Sequence, residues 1–142
     1  MLISDIFRSE QGTELKCPLM LTRTPAGFPS PADDYVDTKL DLNQLLIKHP
    51  AATFFVRVEG DSMVDAGIHS GDILIVDRAL EASDRDVVIA VLNGGLTVKR
   101  IKKTADGLFL AAENPEFGPL EVTKEMDFEV WGVVTHAIHQ VE

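Results

Sequence analysis

Thr53-Phe54-Phe55-Val56-Arg57-Val58 is an apolar, β-branched and aromatic run that stops abruptly at Glu59-Gly60-Asp61-Ser62-Met63. Such a run is too short for a helix, and the glycine ends it, so it reads as a buried strand feeding a tight turn. The pattern recurs down the chain. Ile73–Asp77, Asp86–Leu92, Gly95–Ile101, Leu108–Ala112 and Phe128–Thr135 are further short apolar runs, each bounded by turn residues. Asn93-Gly94-Gly95 is a hairpin connection between two of them. These spacings predict a mostly β chain. One short helix is expected over Leu42–Lys48, capped by Asp41 and stopped by Pro50. Between Leu108–Ala112 and Phe128–Thr135, Glu113–Pro119 reads as irregular.

The Ser62 turn and the Gly95–Ile101 strand carry the candidate chemistry. A serine hydroxyl is a poor nucleophile without a base beside it. Lys99 lies 37 positions later, and on a strand it shares one face with Thr97 and Ile101. Those neighbours make it a candidate for desolvation, which disfavours the ammonium and lets lysine act as a general base nearer neutrality. Serine with lysine is a variant of triad logic. Taken singly, Ser62 is a turn serine and Lys99 a surface strand lysine; the pair, with the family resemblance given below, points to hydrolysis.

At 142 residues the chain suits one domain able to bury about two-thirds of its unfolded surface. With 45% apolar and 25% charged residues it has a soluble globular composition. No apolar run approaches the ~18 residues needed to span a bilayer, and Met1–Ile6, with its early Asp5, does not read as a signal peptide. The net charge of −10 argues against direct DNA binding, because duplex affinity comes largely from Lys and Arg on phosphates. Residues 1–26 hold three basic and three acidic side chains, so the whole excess lies on residues 27–142. The single cysteine, Cys17, excludes an internal disulfide and fits a reducing cytoplasm. His49, His69, His136 and His139 are scattered without zinc spacing, so no metal or cofactor is expected.

Residues 1–26 read as a flexible arm interrupted by Pro18 and Pro25, with a short strand near Leu19–Leu21 able to pair with a sheet edge. The arm is too short to hold a helix-turn-helix. Around Ala26-Gly27, Pro25, Pro29 and Pro31 keep the backbone extended, the form in which a protease cleft accepts a strand. By composition alone this is an ordinary Pro/Gly-rich linker.

Gly60-Asp61-Ser62-Met63, the Gly71-Asp72 turn with its apolar strand, and Thr97-Val98-Lys99 resemble the LexA/UmuD family of self-cleaving serine–lysine proteins. Phe28–Tyr35 and Asp41–Leu46 resemble its UmuD-like branch, and the resemblance runs from about Gly27 to the end. It implies a strongly bent β-sheet domain over 27–142 and an arm, 1–26, removed by cutting at Ala26-Gly27. That branch commonly has cysteine before the bond; Ala26 departs from it but keeps a small side chain. Ser62 is then the nucleophile and Lys99 the base. Backbone N–H groups of the turn, that of Ser62 included, would meet the oxyanion, while Met63 packs under the turn or lines the cleft. The resemblance further implies a homodimer, stimulation by a RecA filament on single-stranded DNA, and service to a UmuC-like Y-family polymerase. Rival readings are a soluble signal-peptidase-like enzyme cutting in trans, a repressor-type domain, and a non-catalytic β interaction module.

Overall fold

A computed structural model describes residues 1–9, 16–20 and 36–142. The chain forms two compact units: Met1–Ser9 with His49–Glu142, and Glu10–Lys48.

In the smaller unit, β2 (Lys16–Met20) pairs antiparallel with β3 (Val36–Asp41) as a two-stranded ribbon. Pro18 is tolerated because a two-stranded ribbon has only edge strands. The expected strand near Leu19 is therefore present, begins earlier, and pairs within this ribbon. α1 (Leu42–Leu46) follows directly, and the Asp41 carboxylate accepts the Asn43 N–H at 3.0 Å as its cap.

The larger unit contains β1 (Leu2–Arg8), β4 (Thr53–Glu59), β5 (Ile73–Asp77), β6 (Val87–Leu92), β7 (Gly95–Thr104), β8 (Gly107–Ala111), β9 (Leu120–Glu121) and β10 (Phe128–Ile138). They form one sheet in the order β1-β4-β5-β10-β6-β7-β8-β9, with a further β1–β7 pairing that closes it on itself. Every pairing between these strands is antiparallel. The six strands expected from sequence in this unit are all present; β1 and β9 are additions.

Strand length and bulges produce the bend. β10 pairs with β6 along its first half and with β5 along its second, and its register slips at Val130/Gly132 and again at Val134/His136. Each extra residue adds local twist, which lets one strand serve two directions of the sheet. Gly132 is required where β10 crosses β5, since a Cβ there would lie 2.5 Å from Val76 Cγ1. β7 also serves two neighbours, pairing with β6 up to Arg100 and with β8 from Arg100 onward, without a slip in register. Leu92 opposes Gly95, so the β6–β7 loop is Asn93-Gly94, both with positive φ, as a two-residue hairpin turn needs.

Two cores result. Val56, Val58, Met63, Ile68, Leu74, Val76, Ile89 and Val98 form the first, and Val88, Ala90, Ile101, Leu110 and Val133 the second. β6 and β7 contribute to both because successive side chains point to opposite faces.

Candidate active site

The Ser62 turn is built by what surrounds it. β4 ends at Glu59, and Gly60 takes φ +106°, a conformation that side chains rarely adopt. Its N–H donates to Ser70 Oγ at 3.1 Å. Met63 is fully buried in the first core, and its carbonyl accepts from Ala66 and Ile68. A single 3-10 turn, Val64–Ala66, follows and is ended by Gly67 in the left-handed region. Of the two readings of Met63, packing beneath the turn is the one observed.

A second segment pins this turn from outside. The Asn114 amide donates to the Asp61 carbonyl at 2.9 Å, and Asp65 N–H donates to the Glu113 carbonyl at 2.8 Å. The Glu113 carboxylate forms an ion pair with the Arg100 guanidinium, next to Lys99 on β7. Glu113-Asn114 thus ties the serine turn to the lysine strand, a role not legible when the segment is read only as irregular. The signal available was Asn114-Pro115, since an asparagine before proline favours a fixed turn. Here Asn114 Oδ1 accepts the Glu116 N–H at 3.0 Å. Asn114→Asp keeps that acceptor but loses the amide donor to Asp61. Both Asn114→Ala and Asn114→Asp should slow self-cutting about tenfold, because small misplacements of a reacting group are costly. A mass-resolved time course checks this, and an Asp variant with the wild-type rate would dismiss the Asn114–Asp61 contact.

Ser62 is 5% exposed, and its hydroxyl oxygen is fully buried with no hydrogen-bond partner among the described residues. A buried hydroxyl without a partner is uncommon, and Ser9 Oγ is the other such group among the described residues. No described residue accepts a hydrogen bond from the Ser62 or Met63 N–H either. Lys99 sits mid-strand on β7, opposite Val88, and burial lowers its pKa below the ordinary lysine value. This is the direction expected of a desolvated ammonium. Ser62 and Lys99 are not hydrogen-bonded to each other; the strand that leads to Ser62 and the strand that carries Lys99 share a neighbour. Leu2 pairs with both Glu59 and Thr97, and the Thr97 hydroxyl donates to the Met1 carbonyl at 3.3 Å. The Met1 amine is held below its ordinary value by burial and then by repulsion from Lys99, with Asp61 acting in the opposite sense. Ala26 and Gly27 lie outside the described residues.

The histidines are less scattered than their spacing suggests. His69 and His139 pack with ring centroids 4.7 Å apart, and His139 Nδ1 is 2.7 Å from the buried Asp72 carboxylate. The other Asp72 oxygen accepts the His69 N–H, which fixes the Gly71-Asp72 turn leading into β5. Among the described residues, no three His, Cys, Asp or Glu side chains converge as a metal-binding set, and no helix is long and apolar enough to cross a membrane.

Comparison with known proteins agrees with this architecture. The chain is 44% identical over 131 residues to Protein SamA of Salmonella typhimurium, covering 92% of this chain and 91% of that protein. It is 46% identical over 124 residues to Protein ImpA of Escherichia coli, covering 87% and 83%. To the LexA repressor of Pseudomonas chlororaphis it is 37% identical over 122 residues, 85% of this chain but 60% of the repressor. The pattern of the family described as Peptidase S24-like matches residues 18–135, a span containing Ala26-Gly27, the Ser62 turn and Lys99. The chain therefore belongs to the S24-like peptidase family, in its UmuD-like branch.

Proposed function

We propose that the chain is a self-cleaving serine–lysine peptidase that cuts its own Ala26–Gly27 bond, releasing the arm 1–26 from the body 27–142. Neutral Lys99 takes the proton of Ser62, and Ser62 Oγ attacks the Ala26 carbonyl. The Ser62 and Met63 N–H groups are the candidates to meet the oxyanion. The acyl-enzyme forms through Ala26 as the Gly27 amine departs with a proton, and water then releases the arm. The observation that carries this reading is Lys99, its pKa lowered by burial, on the strand bridged by Leu2 to the end of β4, from which the Ser62 turn springs.

The family supports the wider reading. By resemblance to the UmuD-like branch, the protein acts in the cytoplasm as a homodimer in SOS mutagenesis. Cutting is stimulated by a RecA filament on single-stranded DNA, and the cut dimer serves a UmuC-like Y-family polymerase in translesion synthesis. A filament that favours the docked arm raises the observed rate in proportion to the docked population. Incubation of purified protein at about pH 10, where an ordinary lysine is partly neutral, tests the core of the proposal. A new N-terminus at Gly27 is expected by intact mass. Equal cutting rates with and without the RecA–DNA filament near neutral pH would remove the regulatory part.

A further inference from the structure

β1 pairs with β4 over its whole length, from Leu2 opposite Glu59 to Arg8 opposite Phe54. It touches β7 as a strand at one point only, Leu2 opposite Thr97. Leu2 therefore fills the gap between the strand that feeds Ser62 and the strand that carries Lys99. Met1 reaches further in: its Cα lies 3.9 Å from where a Cβ on Gly60 would stand, and its carbonyl accepts from Thr97. Beyond Leu2 the two strands diverge. Leu2 to Ile6 on one side, with Gly94 and Leu96 on the other, line a groove of about 380 Å³.

Among the described residues, the edge of β7 that faces this groove is open beyond Thr97. Over Gly95–Lys99, β7 pairs with β6 along one edge, and among the described residues its other edge meets a strand only at Thr97. An unpaired strand edge takes up an added extended peptide through its main-chain groups. The position between the end of β4, which leads to Ser62, and β7, which carries Lys99, is held by Met1–Leu2. The hold is uneven at its tip. Leu2 is 70% exposed, while Met1, like Ile3, packs against the first core, so lifting the first two residues costs the packing of Met1 while the rest of β1 stays paired.

We propose that β1 is a resident competitor: Met1–Leu2 occupies the strand-acceptor position between β4 and β7, and an extended peptide reaches Ser62 only when they withdraw. The inference rests on the reading of Ser62 and Lys99 given above, and it adds a brake inside the catalytic unit itself. The observed rate is then the intrinsic rate multiplied by the fraction of molecules with the tip of β1 lifted.

A cross-strand staple tests it. With Cys17→Ser in the background, Leu2→Cys and Thr97→Cys put two thiols on directly opposed positions, whose Cβ separation suits a disulfide. With the cross-link verified by mass, oxidised protein should cut itself at least tenfold more slowly than the same protein after reduction. Leu2→Pro, which removes a ladder donor, should cut faster than wild type. Equal, measurable cutting rates in the two redox states overturn the inference. In the stapled protein carrying Ser62→Ala, a labelled peptide of residues 20–32 should bind at least tenfold more weakly when oxidised. Equal binding in both states, or none in either, also overturns it. Redox-dependent peptide binding without self-cutting of the Ser62 protein leaves the inference standing and removes the catalytic reading instead.

Discussion

Ser62→Ala should abolish self-cutting, with the rate at about pH 10 falling by roughly 10³-fold or more, the order expected when a covalent nucleophile is removed. Lys99→Ala should do the same near neutrality, since Lys99 is the group that takes the Ser62 proton in the proposed step. Intact mass followed over hours measures both, and equal release of the arm from Ser62→Ala would assign the cutting to another group or a contaminant. The pH profile carries a further sign. Burial lowers the folded-state pKa of Lys99, so the neutral amine gains population at a lower pH than in an unfolded chain. The rate should climb with pH and level off, with its midpoint below the ordinary lysine value of about 10.4. Stability follows the same sign. Between the folded and unfolded values the unfolded chain binds the extra proton, so this group's contribution to stability rises with pH across that window and is constant above it. A midpoint at or above the ordinary value would show that burial does not tune this lysine.

Leu74→Ala should cost roughly 2–5 kcal/mol in urea unfolding, out of a total of about 5–15 for a domain of this kind. Leu74 has no exposed surface and lies in the first core with Val56, Val58, Met63, Ile68, Val76, Ile89 and Val98. Removing its methyl groups leaves a cavity that a closed sheet has little freedom to collapse. The same core holds Met63 beneath the serine turn, so the variant should lose self-cutting at temperatures where it remains folded. Val141→Ala is the contrast: at 86% exposure it should change stability by no more than about 0.5 kcal/mol. Similar midpoints for the two variants would mean that this cluster is not the core of the unit.

The strand positions were legible in the amino-acid order because each is a short apolar run closed by local turn chemistry. Ile73–Asp77 matches residue for residue, and Asn93-Gly94 dictates a hairpin because both residues take positive φ. Asp41 announces α1 for the same local reason, its carboxylate lying two residues from the N–H it accepts. Ser62 and Lys99 could be singled out by type and spacing, and burial lowers the Lys99 pKa on the Thr97-Lys99-Ile101 face. What sequence could not supply were features that exist only once distant segments meet. β1 has no clean alternation, and only Ile3 is shielded along it, so its existence depends on a partner strand some fifty residues away. The closure at Leu2, the Asn114 amide on the Asp61 carbonyl, and the His69–His139 pair on Asp72 are of the same kind. Local runs determine which residues become strands. Closure of the sheet determines which of those strands, and which turn, come to share one place.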